Sequence, residues 1–234
     1  AIAVELARAG FDLVLHHGRS SADEATAACR AAGAEVATIA ADLADPAGCD
    51  RVIAAVFAGG PTLHLLVNNA SVFPARPFAD ITAAEWDEVQ AVNVRAPFLL
   101  CRGLLPALQQ ADPALLGAPA GTGGVVVHLC DIGAERPLSG HAHYSASKAA
   151  LVMLVRAMAV ELAPAVRTVG ISPGQVAWPE SYDEALRERL TRRIPLARAG
   201  TPEDVARLVR FVALEGHYLN GAVVPLDGGL ASRY

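Results

Sequence analysis

The chain has 234 residues, 53% of them apolar and 18% charged, a balance that excludes intrinsic disorder and allows a sizeable core. Its mean hydropathy of +0.35 rests largely on 48 alanines, and no uncharged apolar run of about 18 residues reads as a membrane span. A net charge of −5 with scattered arginines excludes a basic stripe for nucleic acid and a polybasic membrane patch.

In chain order, Ala1–Gly10 reads as an amphipathic helix closed by a glycine, with no N-cap residue before it. Strands are expected at Phe11–His16, Glu35–Ile39, Leu63–Val67, Gly124–Leu129, Val166–Ile171 and Ala222–Val224. The strongest are continuous Val/Leu runs, as strands buried on both faces require. Between them lie helical patterns at Ser21–Ala32, Pro46–Ala58, Ala83–Leu108, His141–Ala163 and Pro202–Leu214. Pro46 and Pro202 occupy first-turn positions behind the caps Asp45 and Thr201. Residues 117–124 read as a surface loop. This alternation predicts an α/β fold: one Rossmann-type domain over 1–234, its doubly wound parallel sheet covered by helices on both faces. In that fold the first strand and its glycine-rich phosphate loop precede the first helix. Both are expected before residue 1, in about 15–20 further residues. Four widely spaced cysteines, Cys29, Cys49, Cys101 and Cys130, read as buried thiols of a reducing compartment, with the cytoplasm as the expected location.

The chain has 18 arginines and one lysine, Lys148. It stands four residues after Tyr144, early in a helix, so both side chains share a face. With four tyrosines in the chain, chance gives this spacing about 2% of the time. An ammonium beside a phenol stabilises the phenolate, so Tyr144 is expected to titrate well below about 10 and to act as a general acid. The close histidine pairs, His16-His17 and His141/His143, lack a third ligand at suitable spacing, and no metal is expected.

Five motifs then follow in order: Asn68-Asn69-Ala70 after a strand, Asn93 in VNVRAP, Tyr144-x-x-x-Lys148, Ser172-Pro173-Gly174, and the closing Leu226-Asp227-Gly228-Gly229. Together they resemble the short-chain dehydrogenase/reductases over nearly the whole chain. The resemblance implies a nicotinamide-dependent oxidoreductase, usually a homotetramer that pairs its two long helices. Tyr144 would donate the proton, Lys148 would hold the ribose, and Asn93 would anchor a water leading to the lysine. It also implies cofactor contacts at Asp42-Leu43, Asn69, Ala70, Ser71, Pro173 and Gly174. The segment at about 175–194, with Trp178 and Tyr182, would be a substrate lid, and Arg233 would reach a neighbouring subunit.

Where most members carry a serine, thirteen residues before the tyrosine, this chain has Asp131. Serine polarises a carbonyl, whereas an ionised aspartate repels a developing alkoxide; a carboxyl group better suits the C=N bond of a nitrogen heterocycle. Asp131 is similar to the residue found in pteridine reductases and short-chain dihydromonapterin/dihydrofolate reductases, as is the run Asn69-Ala70-Ser71-Val72-Phe73. Phe73 would there stack on the ring for about 1–3 kcal/mol. The strand running into His17-Gly18-Arg19-Ser20 ends without a carboxylate and with a cation, which selects NADPH through its 2′-phosphate. The expected function is NADPH-dependent reduction of a pterin or dihydrofolate-like ring. The alternatives are a ketone reductase, 3-oxoacyl or other carbonyl, and a nucleotide-sensing protein without catalysis.

Overall fold

In the computed structural model, which describes residues 1–178 and 182–232, helix α1 (Ile2–Arg8) leads into β1 (Leu13–His17), α2 (Asp23–Ala31), β2 (Val36–Ala40) and α3 (Pro46–Ala58). Then come β3 (Leu65–Asn68), α4 (Ala83–Gln90), α5 (Ala96–Gln109), β4 (Val125–Leu129) and α6 (Ala142–Glu161). The chain continues through β5 (Arg167–Pro173), α7 (Glu184–Thr191), α8 (Pro202–Leu214) and β6 (Val223–Leu226). Every strand pairing is parallel, and helices cover both faces, as the sequence predicts.

The expected single sheet is divided in two, β1–β2 and β3–β4–β5–β6. The chain winds one way from β1 and the other way from β3, and the division falls where the winding reverses. Residues of β1 and β3 line one cavity of about 2680 Å³, and among the described residues no ladder joins these two strands.

Local chemistry accounts for most boundaries. Asp45 accepts a hydrogen bond from Ala47 N–H to start α3. Thr201 and Asp204 form a capping box at α8, and each such cap stabilises by about 1 kcal/mol. Gly10, at φ +91°, ends α1 and lets Phe11 N–H reach back to Leu6 O at 3.1 Å. The helix expected over Ala83–Leu108 is interrupted by a π turn at Ala91–Arg95. Pro97 is the physical reason, because it has no N–H to give the Asn93 carbonyl four residues earlier. Ala83–Gln109 is apolar enough to span a membrane by composition, but 56% of its most apolar window is buried, as in a core helix. Helix α7 was not expected from sequence; Asp183 caps it by accepting from Leu186 N–H at 2.7 Å.

Strand alternation divides the core. Val125, Val127 and Leu129 of β4 join Val169 and Ile171 of β5 against Leu6 of α1 and Val205, Val209 and Val212 of α8. Val126 faces the other way, onto Cys101, Leu104 and Leu108 of α5 and Met158 of α6. All four cysteines are buried and stand outside any disulfide. Strands β4 and β5 are buried throughout, whereas β2 is largely exposed, so the continuous apolar pattern holds only at the sheet centre.

One buried cation ties the sheet to a helix end. Arg167, at the start of β5, donates from Nη1 to Gly216 O (3.0 Å) and Leu219 O (3.1 Å), and from Nη2 to Val212 O (3.1 Å). These carbonyls lie at or just past the carboxyl end of α8, where the helix dipole favours positive charge. Arg167→Met is expected to lower the unfolding free energy by about 2–4 kcal/mol in urea titrations, because three buried carbonyls lose their donor. A loss below about 0.5 kcal/mol, the scale of a neutral surface change, would contradict this role.

Candidate active site

The carboxyl ends of β3, β4 and β5 converge on the amino-terminal half of α6. Lys148, buried on α6, donates from Nζ to the backbone oxygen of Leu129, the last residue of β4, at 2.8 Å. One turn earlier, the buried Tyr144 donates its hydroxyl to Asp131 Oδ2 at 2.9 Å. Asp131 Oδ1 accepts from Gly133 N–H at 2.6 Å, in a turn so tight that a Cβ at Gly133 would lie 2.8 Å from that oxygen. Lys148 Nζ lies 5.7 Å from the centroid of the Tyr144 ring. Tyr144, Lys148 and Asp131 all line the large cavity.

This geometry corrects one expectation. The Tyr144 phenol is pushed above its ordinary value, first by burial, then by the charge of Asp131 and its hydrogen bond, and lastly by Cys130. The expected lowering fails because the ammonium is directed at the Leu129 carbonyl, while the group touching the phenol oxygen is a carboxylate. Burial also lowers the Lys148 pKa, against opposing pulls from Cys130 and Asp131. The thiol of Cys130, between strand end and aspartate, is pushed up to about 11 by burial.

Asn93, in the π turn, joins three elements. Its Oδ1 accepts from Val72 N–H (2.9 Å) and Ser71 Oγ (3.1 Å). Its Nδ2 donates to Val72 O and to Ser147 Oγ, both at 3.0 Å. Ser147 in turn donates to Tyr144 O at 2.6 Å. The amide thus has all its donors and acceptors engaged with protein and fixes the loop after β3 against α6. Ser147 was not singled out from sequence; its position beside Lys148 was the available signal.

Phe73 stands against Tyr144 edge to face, with centroids 4.5 Å apart. Its other neighbour, also unanticipated, is His141, stacked at 4.2 Å and 14° and held by Nδ1 to Ser139 O at 2.9 Å. Below the site, Asn68 Nδ2 donates to Cys101 Sγ and His128 Nδ1, both at 3.4 Å. Burial drives His128 down to about 4, with Lys148 adding to the effect, so a neutral imidazole lies beneath the ammonium.

The structure brings together most of the residues expected to hold a cofactor. Ser20, Leu43, Asn69, Ala70, Ser71, Pro173 and Gly174 line the cavity with Phe73, Tyr144 and Lys148. Arg19 is exposed in the turn after β1, beside the lining residues Gly18 and Ser20. Asp42 is exposed and spends Oδ1 on Ala44 N–H at 2.9 Å. Ser20, after β1, lines the same cavity as Tyr144 and Lys148 of α6. Trp178 lines a separate depression with Glu184, Arg187 and Glu188; its ring lies 6.3 Å from that of Tyr182, which lines the large cavity. Arg233 lies outside the described residues.

A family model described as enoyl-(acyl carrier protein) reductase matches residues 1–231. Human dehydrogenase/reductase SDR family member 4 is 30% identical over 100% of this chain and 83% of its own length. The chain belongs to the short-chain dehydrogenase/reductase family. Among its relatives, the 3-oxoacyl-[acyl-carrier-protein] reductase of Staphylococcus aureus is 28% identical over 98% of this chain and 92% of its own. A solved short-chain dehydrogenase/reductase from Serratia marcescens superposes with a TM-score of 0.86 at 28% identity, covering 98% of this chain and 92% of that one.

Asp131→Asn removes the negative charge that holds the Tyr144 proton. In ultraviolet titration, with Tyr144→Phe as the reference, Tyr144 is expected to ionise at least about one pH unit lower in Asp131→Asn than in the parent. An unchanged or raised midpoint would contradict the electrostatics described.

Proposed function

We propose that this short-chain oxidoreductase is an NADPH-dependent reductase of carbonyl compounds, of the 3-oxoacyl or a related ketone class. The observation that carries the reading is the Tyr144 hydroxyl, held in protonated form 2.9 Å from Asp131 Oδ2 beside the chain's single ammonium. A phenol that keeps its proton is a donor and serves reduction. The named activity of the Staphylococcus relative supports a carbon–oxygen bond as the one reduced. Arg19 and Ser20, with no carboxylate over residues 15–21, support NADPH over NADH.

NADPH supplies the hydride. Tyr144 Oη gives its proton to the substrate oxygen as that oxygen gains charge. Asp131, whose carboxylate disfavours a free alkoxide nearby, requires proton transfer to keep pace with reduction. Lys148 spends one of its three N–H donors on Leu129 O and has two others to offer the cofactor ribose. Asn93 acts through Ser71, Val72 and Ser147, holding the cofactor-facing loop and Tyr144 in register.

A second reading, reduction of a pterin or dihydrofolate-like ring, is favoured by Asp131 in a position where serine is common and by Phe73, which is 40% exposed beside Tyr144. The exposed Phe98, Met153 and Val160 on α5 and α6 support homotetramer formation through these helices, and the wide spacing of the four buried cysteines supports a cytoplasmic location.

The test is a panel of 3-oxoacyl thioesters, simple ketones, dihydropterins and dihydrofolate with NADPH and NADH. Turnover of a ketone, faster with NADPH, is expected, and Tyr144→Phe should reduce kcat by at least about 100-fold. Turnover confined to the ring substrates would replace the first reading by the second. NADPH binding with no turnover of any member would favour a sensor.

A further inference from the structure

Tyr144 has one phenolic proton and two acceptors that need it. In the structure its hydroxyl donates to Asp131 Oδ2 at 2.9 Å, whereas in reduction the same hydroxyl must donate to the substrate oxygen. Asp131 Oδ1 keeps its bond to Gly133 N–H at 2.6 Å, because donor and acceptor belong to one turn. Oδ2 loses the phenol proton as soon as Tyr144 turns to a substrate. Asp131 is half-buried at the cavity wall, and apolar groups flank the pair. The Phe73 ring lies 4.5 Å from that of Tyr144, and Leu138 Cδ1 comes within 3.8 Å of where a Cβ at Gly133 would stand. In such surroundings a carboxylate oxygen stripped of its donor costs more than a neutral acceptor does. A serine at this position would create no such cost, since its hydroxyl is neutral and can itself donate to a carbonyl.

We propose, building on the ketone reading above, that the substrate is an α-hydroxy ketone, and that Asp131 Oδ2 receives the hydroxyl on the carbon next to the carbonyl. The carbonyl oxygen replaces Oδ2 as the acceptor for Tyr144, and the substrate hydroxyl replaces Tyr144 as the donor to Oδ2. No hydrogen bond is lost in the exchange, and a bond to an ionised oxygen is among the stronger ones. Oxygens on adjacent carbons are close enough to engage Oη and Oδ2 together. Hydride passes from NADPH to the carbonyl carbon and the Tyr144 proton to the carbonyl oxygen, giving a vicinal diol and NADP⁺. A proton from solvent then restores the phenol. The neighbouring hydroxyl keeps its hydrogen throughout, so Asp131 selects and orients the substrate without exchanging a proton with it.

The test uses two matched trios with NADPH: hydroxyacetone, methoxyacetone and butanone, and α-hydroxyacetophenone, α-methoxyacetophenone and propiophenone. The methyl ethers keep the electron-withdrawing oxygen but have no hydrogen to donate, so they separate hydrogen bonding from activation of the carbonyl. The plain ketones, with a methyl group in place of the hydroxyl, control for size. In the trio that turns over, kcat/KM for the hydroxy ketone is expected to exceed that of both partners by at least about tenfold. In Asp131→Ala, which removes both the acceptor and the cost of baring it, the two ratios should fall to within about threefold. A melting curve checks that this variant folds; if it does not, the ratios in the parent decide alone. Parent ratios below about tenfold, or ratios that persist in folded Asp131→Ala, would overturn the proposal. Turnover of a 3-oxoacyl thioester with none of the hydroxy ketones would also overturn it and leave the reductase reading standing. No turnover of any ketone or 3-oxoacyl thioester would overturn that reading and the proposal with it.

Discussion

The arrangement depends on one buried ammonium. Lys148 is 3% exposed, and a charge at that depth is costly unless it is hydrogen-bonded. Its bond to the Leu129 carbonyl pins the first turns of α6 to the end of β4. That contact sets where Tyr144 stands, one helical turn earlier, and it brings the residues just past β4, Cys130 and Asp131, against the helix. A guanidinium is planar and wider, and it meets a single strand-end carbonyl in a different geometry from a compact ammonium. The 18 other Lys/Arg positions all hold arginine; this one keeps the compact cation.

Around that contact the polar groups are tied into the scaffold more than into each other. Asn93 joins the loop after β3 to α6, and it can do so because Pro97 opens the helix into a π turn at that point. Asp131 holds the phenol on one oxygen and its own turn on the other. The result is a proton donor whose proton is secured by burial and by a neighbouring anion, at the wall of the large cavity. Burial, the largest cause of the phenol's raised pKa, is a property of packing, whereas the pairing with Asp131 is a property of where β4 ends.

These two levels explain what was legible from residues alone. Caps, first-turn prolines and the alternation of strands with helices are local, and Asp45, Pro46, Thr201 and Pro202 act where the sequence places them. Tyr144 and Lys148 share a helix face because four residues make about one turn. The direction of the ammonium was not legible, since the Leu129 carbonyl comes from another element, and so the sign of the Tyr144 shift was misjudged. Ser147, His141 and the His128–Asn68–Cys101 layer escaped notice for the same reason: each matters through a partner far along the chain.

The central claim is that the Lys148 ammonium, as a point charge on a strand-end carbonyl, organises the proton donor and the cofactor site. Single-turnover hydride transfer by Lys148→Arg, at saturating NADPH and with the melting temperature of the parent confirmed, tests it most directly. The account predicts a rate at least about 100-fold below the parent despite the retained charge. A rate within about threefold of the parent, on the scale of small uniform-binding effects, would contradict it.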